Sequence, residues 1–181
     1  MSSNTKISIA AAGIFIAVLI LAGVGFFIFK ARAIATKTAQ EKQVIEENPV
    51  EYYLVKKPVT QTDDEMKKLM IGTWRMAGSK SWGADSFTYE ETNNADFKSF
   101  TPTNWSIVNY DSSSNLIYSA SGHYTVQNGV YTEFIETATG PMAKFIGKKP
   151  KFKIHVDADK FYQMSDAKKV NIEEMWQRVG D

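Results

Sequence analysis

Between Leu116 and Val126 the chain alternates with a period of two. Leu116, Tyr118, Ala120, Gly122, Tyr124 and Val126 fall on one side, and Ser119, Ser121, His123 and Thr125 on the other. Successive side chains of a strand point to opposite faces, so this pattern predicts a long strand with one buried face. Asn128-Gly129 follows at once. Both positions tolerate the positive φ that a two-residue hairpin turn requires, so the chain folds back along Val130 to Thr137. A chain with this stretch near its centre is committed to antiparallel β structure.

Strand and turn signals continue on both sides of the hairpin. Ser86 to Glu91, Asp96 to Thr101 and Asn104 to Tyr110 are short strand candidates, the last ending in the turn Asp111-Ser112-Ser113-Ser114. Thr139 to Lys149 breaks the pattern with Gly140-Pro141 and Gly147 and reads as a loop. Lys151 to Asp157 alternates again, with Phe152, Ile154 and Val156 inward and His155 outward. Phe161 to Met164 and Val170 to Val179 complete the set. Together with the strand that starts at Gly72 they make about eight or nine antiparallel strands, the spacing of an all-β up-and-down barrel. A short helix precedes them. Thr62-Asp63-Asp64-Glu65 has the spacing of a capping box, Met66, Leu69 and Met70 share one face, and Gly72 then leads into Trp74. Of the 181 residues 13% are aromatic, which suits strands with bulky interior side chains.

The amino-terminal third reads differently. Residues 1–6 form a tail, and 7–29 are uncharged and rich in Ala, Ile, Leu, Val and Phe. At about 1.5 Å per residue that run spans a hydrocarbon core of about 30 Å, so we expect a transmembrane helix. Ala33-Ile34-Ala35 resembles a signal-peptide cleavage site, but the apolar run exceeds the usual h-region of about 7–15 residues, and an uncleaved signal anchor is the reading adopted. Residues 30–61 are expected to form a polar stalk, and 62–181 the barrel domain. Lys30, Arg32 and Lys37 follow the span while Lys6 precedes it, which by charge alone keeps the barrel on the cytoplasmic side. A short tail ahead of a β module argues the opposite, for export to the periplasm or cell exterior, and this is the orientation expected.

Three segments carry a resemblance. Gly72-Thr73-Trp74 after a short helix, the hairpin from Gly122 to Glu133, and the closing Glu174-Met175-Trp176-Gln177-Arg178-Val179 resemble small bacterial lipocalin-like domains, within the wider lipocalin and fatty-acid-binding barrels. The resemblance covers about Glu65 to the carboxyl terminus. It implies that Gly72, Trp74 and Arg178 close the barrel, with Arg178 laid over the Trp74 ring. A guanidinium on an indole face gains about 0.5–2 kcal/mol, so the physics of the pair points the same way.

No set of residues converges on chemistry. Cysteine is absent, and the net charge of +1 lacks the broad basic footprint of a nucleic-acid binder. His123 and His155 lie on polar-facing positions, where a surface role outweighs metal binding. Glu133 and Glu136 point to opposite faces, as do Glu173 and Glu174. No metal, cofactor or catalytic residue is expected, and the protein is read as a non-enzyme. Trp105, Tyr118, Tyr124, Phe134, Phe152 and Tyr162 are the candidate pocket residues, because a barrel of about eight strands encloses either side chains alone or one small ligand. The expected function is a membrane-anchored domain that binds a small apolar or amphipathic ligand at the bacterial envelope. The alternative is an interaction module with a filled barrel that holds an envelope protein.

Overall fold

A computed structural model describes residues 30, 34–58, 60–81, 83–90, 95–165 and 172–180. The tail over 1–6 and the transmembrane helix expected over 7–29 lie outside the described residues. Among the described residues no helix is long and apolar enough to cross a membrane. The chain divides into two compact units, Met1–Val44 and Ile45–Asp181. In the first, residues 34–44 are helical.

Among the described residues the second unit holds ten strands: β1 (Gly72–Lys80), β2 (Thr88–Tyr89), β3 (Ala95–Phe100), β4 (Asn104–Tyr110), β5 (Leu116–Gln127), β6 (Val130–Glu133), β7 (Thr137–Ala138), β8 (Lys151–Val156), β9 (Lys160–Ser165) and β10 (Glu173–Arg178). Eight of them follow one another around a closed antiparallel barrel, in the order β1, β3, β4, β5, β6, β8, β9 and β10, with β10 paired back to β1. β2 and β7 are short additions on β1 and β5. The predicted alternation on β5 is real, with Ala120, Tyr124 and Val126 buried and His123 and Gln127 exposed. Asn128 and Gly129 turn the hairpin with φ of 53° and 73°.

The helix Asp63–Met70 leads into β1 and carries the predicted capping box. Glu65 N–H donates to Thr62 Oγ1 at 3.3 Å, and Thr62 N–H donates to Glu65 Oε2 at 2.8 Å. Met66 and Met70 then point into the barrel, where they join Trp74, Phe100, Tyr131, Phe161 and Trp176 in one apolar cluster. Asp63 ties the helix to the hairpin by accepting from the N–H groups of Asn128 and Gly129, both at 2.9 Å. Those two bonds to the ionised form hold its carboxyl below the usual range.

Three expectations need correction. The return strand over Val130 to Thr137 is interrupted: Tyr124 pairs with Glu133 but Ser121 with Thr137, so the return side carries one extra residue. Gly122 stands opposite this bulge, where the Phe134 carbonyl occupies the space that a Cβ would need. The segment expected as a loop over Thr139 to Lys149 contains a 3-10 helix, Gly140–Phe145. The folded unit also begins before Thr62. Asn48 caps the turn Pro49–Glu51, Val50 is fully buried, and the π-helical turn Tyr52–Lys56 lays Tyr53 against Tyr162 and His155 on the outer face of the sheet. His155 is therefore outward, as its parity requires, yet only 6% exposed.

Candidate functional site

One end of the barrel is closed by side chains of β1 and β10. At the closed end the Arg178 guanidinium lies 4.0 Å from the centre of the Trp74 ring, and the two residues are register partners across β1 and β10. Arg178 also donates to the carbonyls of Leu69, Ile71 and Ala158, at 2.5, 2.9 and 2.5 Å. Trp74 Nε1 donates to the Met70 carbonyl at 2.8 Å. Carbonyls in the last turn of a helix lack partners within the helix. Here two side chains of the barrel supply them, so one contact set seals the barrel and ends the helix. Gly72 has a φ of 124° and leaves room for the Arg178 guanidinium, which a Cβ there would meet at 2.8 Å.

Above this end the interior is filled by aromatic rings. Phe100 meets Tyr124, Tyr131 and Phe161 edge-on, with centroids 5.5 to 5.7 Å apart. Then the interior changes character. Lys98 from β3 is 3% exposed and donates to Glu133 Oε1 at 3.0 Å and Gln163 Oε1 at 3.1 Å. Its Nζ lies 4.8 Å from the centre of the Trp176 ring and 4.0 Å from Glu174 Oε2. Tyr131 Oη donates to Glu133 Oε1 at 2.9 Å, and Gln163 Nε2 and Trp176 Nε1 donate to Glu174 Oε2 at 2.6 and 3.1 Å. The inward faces of β3, β6, β9 and β10 thus join in one polar layer across the barrel. Burial pushes the Glu174 carboxyl up, against the pull of Lys98.

On the side of this layer away from the closed end, described residues line a partly open cavity of about 240 Å³. Lys98, Glu133, Gln163 and Glu174 form its polar side, and Ile107, Ile135, Met142, Phe145 and Ile172 are among its apolar walls. Of the six candidate pocket residues, Trp105, Tyr118 and Phe152 line it. Tyr118 Oη donates to Asp96 Oδ1 at 2.8 Å, and burial, followed by the Asp96 charge, pushes its phenol up. The indole N–H of Trp105, buried in the wall, has no hydrogen-bond partner among the described residues.

The other three candidates sit elsewhere. Tyr124 faces inward but belongs to the packed end, where its Oη donates to the Thr101 carbonyl at 3.0 Å. Phe134 follows the bulge and stacks on His123 with centroids 4.1 Å apart, away from the cavity. Tyr162 is outward, because on β9 it is Phe161 and Gln163 that face in. Lys98, Glu133, Gln163 and Glu174 are not among the sequence candidates, because charged and amide side chains are not expected in an apolar barrel interior. The parity of the strands shows them: Lys98 lies two residues before Phe100, Gln163 two after Phe161, and Glu174 two before Trp176.

His123 is exposed, and its Nδ1 lies 2.5 Å from Glu136 Oε1. Among the described residues no group of His, Cys, Asp or Glu could hold a metal ion.

An antiparallel barrel of eight strands, entered through a capped helix and sealed by Trp74 and Arg178, is the lipocalin-like arrangement that the sequence resembles. No protein-family profile matches the chain, and no curated protein matches it. Among solved structures it is similar to a lipocalin-like protein from Bacteroides uniformis, at 11% identity and a TM-score of 0.47 over 61% of this chain and 98% of that one. It is also similar to an uncharacterized protein from Bacteroides eggerthii, at 9% identity and a TM-score of 0.45 over 61% of this chain and 99% of that one. A redesigned β-barrel is similar at 14% identity and a TM-score of 0.41 over 63% of this chain and 95% of that one.

Proposed function

We propose that the barrel binds a small amphipathic molecule without covalent chemistry, and that residues 7–29 anchor it to the membrane of a bacterial envelope, with the barrel on the exported side. The observation that carries the binding reading is the cavity of about 240 Å³, set in an interior that is otherwise packed. A dry apolar cavity of about 150 Å³ holds benzene, so this one takes an aromatic or branched aliphatic body somewhat larger. Its apolar walls offer hydrophobic burial, and the polar layer at its base orients whatever polar end the ligand carries.

The alternative, an envelope interaction module with no ligand, draws on the tightly packed closed end. Native mass spectrometry of the full chain, purified from its host in native lipid nanodiscs, tests the choice. The expected spectrum contains a released small molecule at one per barrel. A barrel that is empty in every preparation and co-purifies with a protein would overturn the ligand reading in favour of the module.

A further inference from the structure

We infer that the polar end of the ligand is cationic: the cavity is built for a small amphipathic amine. This deepens the ligand-binding reading and rests on it. The argument begins with the balance of charge around the cavity. Lys98 is the cation at its base, and the carboxylates of Glu133 and Glu174 lie beside it, at 3.0 and 4.0 Å. Among the described residues that line the cavity, one positive group therefore faces two acidic ones.

An anionic ligand is the obvious competitor, since Lys98 could receive a carboxylate. Its surroundings argue otherwise. Lys98 is only 3% exposed, two of its three donors serve Glu133 and Gln163, and the centre of the Trp176 ring lies 4.8 Å from its ammonium. A carboxylate reaching towards it would meet Glu174 on the way. Glu174 itself is differently placed. Its side chain keeps 20% exposure, it lines the cavity, and both of its hydrogen bonds end on Oε2. Its Oε1 accepts no hydrogen bond from the described residues. An ammonium group has donors to offer that oxygen, and the aromatic side chains of Trp105, Tyr118 and Phe152 line the same cavity.

A second observation stands apart from the charges. Trp105 is 2% exposed, lines the cavity, and keeps an indole N–H without an acceptor. Buried donors are nearly always paired, so this one marks a place for an oxygen that the ligand brings. An amine at one end, a hydroxyl or ether oxygen elsewhere and a ring-sized apolar body satisfy the whole set.

The test uses the full chain in phospholipid nanodiscs and three probes of one shape: tyramine, its neutral alcohol analogue 2-(4-hydroxyphenyl)ethanol, and the anion 4-hydroxyphenylacetate. Affinities are read by isothermal titration at pH 7.5, with empty nanodiscs as the blank. The expected result is that tyramine binds at least tenfold tighter than the alcohol, and the alcohol tighter than the acid. In Glu174→Gln the preference for amine over alcohol shrinks towards unity. Equal affinity for amine and alcohol, or tightest binding of the acid, would overturn the amine inference and leave the ligand-binding reading standing. Failure of all three probes to bind would overturn the inference together with the cavity as a binding site for molecules of this size.

Discussion

Replacing Lys98 by methionine isolates what the polar layer contributes. Methionine fills most of the volume of the lysine stem, so the chief change is the loss of one buried charge. Glu133, 6% exposed, then loses its cation, and Glu174 loses the nearest positive group. Removing one partner of a buried pair costs about 3–5 kcal/mol, because the remaining charge is left uncompensated. At about 4 °C per kcal/mol for a domain of this size, the melting temperature should fall by about 12–20 °C. The sign of the pH dependence follows. Without Lys98 the burial that pushes the Glu174 carboxyl up acts unopposed, so its folded-state pKa lies above the unfolded one and the unfolded chain releases that proton first as pH rises. The variant should therefore be most stable at low pH and lose stability as pH climbs through the folded-state value. Lys98→Met/Glu133→Gln should recover much of the loss at neutral pH, since the amide oxygen that replaces the carboxylate can still accept from Tyr131. Thermal unfolding of the full chain in nanodiscs, followed by tryptophan fluorescence from pH 5 to 8, reads all of this. A single variant within 1 kcal/mol of the parent at pH 8, with no gain on acidification, would refute the idea that Lys98 neutralises buried acid.

At the closed end, Arg178→Ala removes the stack on Trp74 and three donors to backbone carbonyls. With the carbonyls partly reached by water, the loss should be about 2–4 kcal/mol in the same assay, and Arg178→Lys, which keeps the charge but not the planar fork, should recover less than half of it. On the outer face, burial holds His155 below its ordinary value of 6.5, and the Asp157 charge offsets this only in part. The unfolded chain thus takes up a proton before the folded one. The stability that neutral His155 contributes is complete above about pH 6.5 and is lost as pH falls through the folded value. Tyr53 and Tyr162 stack on the ring, so their fluorescence should report the loosening of Tyr52–Lys56 first, and His155→Phe should flatten that response.

The ends of the barrel were legible in the sequence because they rest on local signals. The capping box at Thr62 and Glu65, the Asn128-Gly129 turn and the alternation of β5 each depend on residues a few positions apart. The pairing of Trp74 with Arg178 is not local, but the resemblance implied it and β1 against β10 realises it. The middle of the barrel was harder. Phe161 and Tyr162 are adjacent aromatic residues on opposite faces of β9, and since one position exchanges the faces of a strand, residue type alone does not show that Tyr162 is the outward one. Phe134 was misplaced by a bulge whose only trace in the sequence is Gly122, a residue equally at home in an unbroken strand. The cover over His155 depends on Tyr53, about a hundred positions away, and no periodicity within β8 reveals it.

The polar layer is the point where the local rules give way, and the reason bears on function. Hydrophobic packing alone would have closed this barrel: Trp74, Phe161, Phe100 and Tyr131 fill its first half without a break. Had the pattern continued, apolar residues in place of Lys98, Glu133 and Glu174 would have made a denser interior, and buried ion groups are often no more stabilising than such replacements. The chain instead places four polar side chains at one level and leaves a cavity beyond them. Consistency between local preference and global packing is the usual condition for a stable fold, and departures from it gather at functional sites. A layer that adds charge where packing asks for none, beside a cavity, fits the ligand-binding reading proposed above better than it fits a purely structural role.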